Sequence, residues 1–73
     1  MDKIIIQAKG KGNVENITSV SGALTKGNIT HAIAVNRKTI IIDESTLSEV
    51  QSAIRKDSGM SITAIDKLII KIT

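Results

Sequence analysis

Cysteine, proline, phenylalanine, tyrosine and tryptophan are all absent from the 73-residue sequence. Without cysteine there is neither a disulfide nor a thiolate metal site. The chain is therefore not a disulfide-framed secreted scaffold, and a reducing cytosol suits it. Without aromatic rings no side chain stacks on a nucleobase, and the buried area that rings bring to a core must come from elsewhere. No apolar run approaches the ~20 residues of a membrane span. The opening stretch MDKIIIQAKG has too short an apolar part for a secretory signal. The expectation is a single soluble, cytoplasmic domain over residues 1–73 with no membrane partner.

Isoleucine is what the chain has in place of rings. Its fifteen isoleucines make up about one residue in five, and a β-branched core favours strands. A domain of this size buries only ~60% of its unfolded surface, so self-association is the expected supplement to its stability. The net charge of +3 is unevenly placed. Residues 1–38 carry six Lys or Arg against Asp2 and Glu15, and residues 39–73 carry four against five acids. That excess keeps a small domain soluble and falls short of the basic stripe of a dedicated nucleic-acid binder.

Three segments echo one another: Asp2–Gln7, Arg37–Asp43 and Asp66–Ile72, each short, β-branched and bounded by charge. They read as strands. A fourth, Asn28–Asn36, alternates, with Ile29, His31, Ile33 and Val35 on one face and Thr30, Ala32 and Ala34 on the other. Asn36-Arg37 then reads as a two-residue hairpin turn, with Asn supplying positive φ. Leu47–Lys56 reads as a helix: Thr46 at the N-cap and Glu49 three residues on fit a capping box, Leu47, Val50, Ala53 and Ile54 share a face, and Ser58-Gly59 ends it. Asn13–Lys26 also has helical spacing at Val14, Ile17, Val20 and Leu24, with Gly27 as the stop. Thr18, Ser19, Ser21 and Gly22 argue against a helix there.

The resulting order, strand-helix-strand twice over, is that of an α+β, ferredoxin-like βαββαβ two-layer sandwich with a four-stranded antiparallel sheet. The alternative is a mainly β fold with a single helix at about 46–58. In the sandwich the first and third strands are central and the last lies beside the first. Ile4, Ile6, Ala8, Ile40, Ile42, Leu68, Ile70 and Ile72 then face the helices. On the other face Ile5, Ile41 and Ile69 stand side by side, framed by Lys3, Lys9, Lys67 and Lys71. A solvated sheet face alternates cleanly, so neighbouring isoleucines there mark an interface.

Chemistry is sparse. His31 among apolar neighbours reads as structural. Asp43 and Glu44 read as a strand end, Glu49 as part of a cap, and no serine has a base beside it in sequence. No catalytic, cofactor-binding or metal site is expected, and no enzyme. The chain lacks the aromatics of RNA-recognition motifs and the cysteine pair of soft-metal carriers. The loop AKGKGN is the remaining feature. Lys9, Gly10, Lys11 and Gly12 precede a helix start at Asn13, where exposed N–H groups and positive charge favour an anion. Its spacing matches neither G-x-G-x-x-G nor a Walker loop. The first expectation is a non-enzymatic interaction module acting as a homo-oligomer, most simply a dimer, in an accessory or regulatory role, which binds itself and a protein partner through Ile5, Ile41 and Ile69. The alternative is sequence-tolerant, backbone-directed nucleic-acid binding through Lys3, Lys9, Gly10, Lys11 and Gly12.

Overall fold

The two isoleucine triplets occupy the centre of the sheet. In the computed structural model, which describes residues 3–8, 13–43 and 46–73, β1 (Ile4–Ala8) pairs antiparallel with β3 (Thr39–Ile42). Ile4 lies opposite Ile42, Ile5 opposite Ile41 and Ile6 opposite Ile40. Outside this pair stand β2 (Ala32–Ile33), antiparallel to β3, and β4 (Leu68–Ile72), antiparallel to β1, which gives the order β2-β3-β1-β4. The helices α1 (Asn13–Lys26) and α2 (Leu47–Asp57) lie against each other and share one core with the sheet. A third helix, α3 (Ile62–Asp66), precedes β4. The chain is thus the expected ferredoxin-like two-layer α+β sandwich with one short helix added, and not the mainly β alternative.

The core follows from strand and helix periodicity. Ile4, Ile6, Ile40 and Ile42 are buried, and Ile17, Val20, Leu24, Ile29, Val50 and Ile54 meet them. Fully burying one such side chain is worth ~1.5–3 kcal/mol, and its stiff χ1 leaves little rotamer freedom to lose. Ala8, Leu68 and Ile70 pack against this cluster as expected, but Ile72, opposite Ile4, is 55% exposed at the end of the edge strand. On α1 the inner face is Ile17, Val20, Ala23 and Leu24, and Val14 stays outside at 38% exposure. The weak helix formers are accommodated by back-bonding: the Thr18 hydroxyl donates to the Val14 carbonyl at 2.9 Å and that of Thr25 to the Ser21 carbonyl at 3.0 Å.

α1 ends at Lys26, before Gly27, as expected, but the left-handed turn falls one residue later. The Ile29 N–H donates to the Leu24 carbonyl and the Asn28 N–H to the Thr25 carbonyl, a Schellman closure in which Asn28, at φ 57°, takes the left-handed position. Gly27 is not that residue. A Cβ on Gly27 would stand 3.3 Å from the Cβ of Ala53, so its missing side chain serves the close approach of α1 and α2. α2 begins as read, with the Glu49 N–H donating to Thr46 Oγ1 at 3.3 Å, and runs to Asp57, with Ser58 as its C-cap and Gly59 at φ 71°.

Two readings of strand length need correction. β2 spans two residues, not Asn28–Asn36, because the Schellman closure holds the chain through Ile29 and a β-turn begins at Ala34. That turn is centred on Val35-Asn36, with the Arg37 N–H donating to the Ala34 carbonyl at 2.9 Å. The positive φ falls on Arg37, at 61°, and not on Asn36, whose Oδ1 accepts from the Lys38 N–H. Similarly, β4 starts at Leu68 because Asp66 ends α3. Ser61 caps that helix by accepting from the Ala64 N–H at 3.1 Å.

Candidate functional site

The sheet face turned away from α1 and α2 is built by every second residue of the central strands. Ile4, Ile6, Ile40 and Ile42 face the core, so strand alternation sends Lys3, just before β1, Ile5 and Gln7 of β1, and Thr39 and Ile41 of β3, to the other side. Ile5 and Ile41 stand directly opposite each other in the middle of this face, with Ala32 beyond Ile41 on β2. Ile69 shares the face but not the row. It lies opposite Gln7, and Lys71 takes the place beside Ile5. The expected line of three isoleucines is therefore an opposed pair with a third on the diagonal. All three are half-buried, as side chains are when cross-strand neighbours crowd them.

Lysines mark one side of this surface. Lys3 and Thr73 exchange both backbone hydrogen bonds, at 2.9 and 2.8 Å. Alternation then makes Ile5–Lys71 and Gln7–Ile69 hydrogen-bonded pairs as well. Lys3 and Lys71 are exposed. A lysine beside an isoleucine shields it with an alkyl stem while its ammonium stays in water. Lys9, Gly10, Lys11 and Gly12, the rest of the anion-binding set, lie outside the described residues. Asp43 borders a shallow depression with Thr30, His31, Ala32 and Ile41. Glu44 lies outside the described residues. Among the described residues, no group of three or more His, Asp or Glu could hold a metal ion, and no helix is long and apolar enough to cross a membrane.

A second constellation was not legible in the sequence. The Ser21 hydroxyl lies 2.7 Å from His31 Nε2, and His31 Nδ1 lies 2.9 Å from the Ile29 carbonyl. A carbonyl only accepts, so Nδ1 carries the hydrogen and, in the neutral ring, Nε2 accepts from the serine. The partners are ten positions apart, and the stretch between them holds the turn at Asn28, which folds His31 back onto α1. This hydroxyl–imidazole–carbonyl chain has the form of an activated nucleophile. However, Ser21 sits inside α1, where neighbouring N–H groups are engaged in the helix ladder and offer nothing to a developing oxyanion. What the arrangement does is tie α1 to the segment entering β2. No known protein family, no curated protein and no solved structure matches the chain.

Proposed function

We propose that the protein is a small non-enzymatic interaction module that pairs with a second copy of itself through the open sheet face. The observation that carries this reading is the direct opposition of Ile5 and Ile41 at the centre of the face that the helices leave bare, with Ile69 on the diagonal. Two copies stacked face to face bury this patch. For a domain with one small aliphatic core, the ~25 cal/mol per Å² gained on burial is a large fraction of its stability. Lys3 and Lys71 then form part of a solvated rim, where charge costs little. An accessory or regulatory role suits a module of this kind.

Sedimentation velocity from micromolar to millimolar protein tests the reading. The expected result is a dimer that Ile41→Lys converts to a monomer with unchanged circular dichroism. A wild-type chain that is monomeric throughout, or a dimer indifferent to Ile41→Lys, overturns it.

A further inference from the structure

A second exposed apolar surface lies at the β2 edge, where Val35 is fully exposed and Ile33 is 46% exposed; Ile62 and Ile72, also exposed, lie on α3 and β4 instead. Between β2 and α1 runs a groove of about 420 Å³ lined by Ile17, Thr18, Ile33, Ala34, Val35 and Arg37. Further along the same two elements, the Ser21–His31 bond fastens α1 to the segment before β2, which sets the distance between the walls.

Two observations define what fits. The first is the backbone. The Ala34 N–H donates to the Thr39 carbonyl, so Ala34 points its N–H at β3. By alternation the N–H and C=O of Ile33 point away from β3, out over the groove. An edge with free ladder groups beside apolar side chains accepts a strand. The second is charge. Residues 16–42 contain Lys26, Arg37 and Lys38 and no acid, and Arg37 lines the groove. Its planar fork suits a carboxylate. A second copy of this chain is a poor occupant, because its other edge strand, β4, carries Lys71 and no acid.

We propose that this groove binds an extended segment of a partner protein, with apolar residues at every second position and a carboxylate at one end. The segment pairs with the outward groups of Ile33, seats its apolar side chains against the exposed side chains of Ile33 and Val35, and places its carboxylate on Arg37. This site is separate from the Ile5–Ile41 face and does not depend on pairing there.

The probe is a fluorescein-labelled peptide that alternates valine and threonine and ends in two aspartates. Its control ends in two lysines. Anisotropy titration is expected to give saturable binding of the acidic peptide and at least about tenfold weaker binding of the control, as for loss of one charge-assisted contact. Arg37→Ala is expected to bring the two peptides to near-equal affinity. Ile33→Pro removes the outward N–H without breaking a bond to β3 and is expected to abolish binding. Should that variant unfold, Val35→Asp, at a fully exposed position, is expected to do the same by repelling the aspartates. Absence of saturable binding, equal affinity for the two peptides, or binding untouched by the edge variants overturns the proposal. So does loss of self-association in Val35→Asp, which would mean that a second copy covers the edge.

Discussion

The two edges of the sheet start from equivalent positions and end differently. Ile33 on β2 and Ile70 on β4 both face the helix layer, and each lies opposite a fully buried isoleucine of the central pair, Ile40 and Ile6 respectively. Ile70 nevertheless packs on the core, whereas Ile33 is nearly half exposed. The difference is α3. Its Ile65 joins Leu68 and Ile70 against the core beside Ile54 of α2, and among the described residues β2 has no such cover. β4 also has five residues and Lys71, the kind of charge that discourages further pairing. One short helix inserted into the second half of a near-repeat thus accompanies the edge strand whose inward isoleucine is packed.

That comparison breaks if the paired positions prove equivalent. Ile70→Ala is expected to cost about 2–3 kcal/mol, in the range for losing a large aliphatic from a packed site. Ile33→Ala should cost less than about 1 kcal/mol, as surface changes do. Urea denaturation of both variants measures this, and equal losses would mean that α3 adds nothing to β4. A smaller effect sharpens the account of how β2 is held. Ser21→Ala removes the hydroxyl that reaches His31 Nε2 and is expected to lower stability by about 1 kcal/mol. Amide exchange should show faster opening at Ala32 and Ala34, whose N–H groups face β3, than on β4. Smallest is the turn: Arg37→Gly relieves a left-handed φ on a side chain that disfavours it. The expected gain is about 0.5–1 kcal/mol, read as a raised denaturation midpoint.

The central sheet and both long helices were legible because each rests on a local signal. The triplets Ile4-Ile5-Ile6 and Ile40-Ile41-Ile42 specify faces, and Thr46 with Glu49 specifies a helix start. Register was less legible. Moving β4 by two residues keeps Ile69 on the open face while changing its neighbour from Ile5 to Gln7, and nothing in a period of two distinguishes those pairings. The end of α1 at Lys26 was legible, but which residue turns left-handed was not, because Gly27 and Asn28 both tolerate positive φ. The choice between them is made by Ala53, 26 positions along the chain. α3 carried only the weak signal of Ser61 before a five-residue helix. His31 was placed with Ile29 and Ile33 on a strand face, but its contact with Ser21 depends on the turn at Asn28 and could not be seen from spacing. Of the candidate site, the bare face could be anticipated from alternation; the groove could not, since it exists only where α1 and a shortened β2 diverge.

The bonds between Lys3 and Thr73 bring the two ends of the described chain to one corner, beside β4. The opposite edge is three strand spacings away, about 14 Å. Anything joined at Lys3 or Thr73 therefore leaves from the same side, and the margin at Ile33 faces the other way. A surface tether attached there would hold the molecule like a handle, with the groove presented outward.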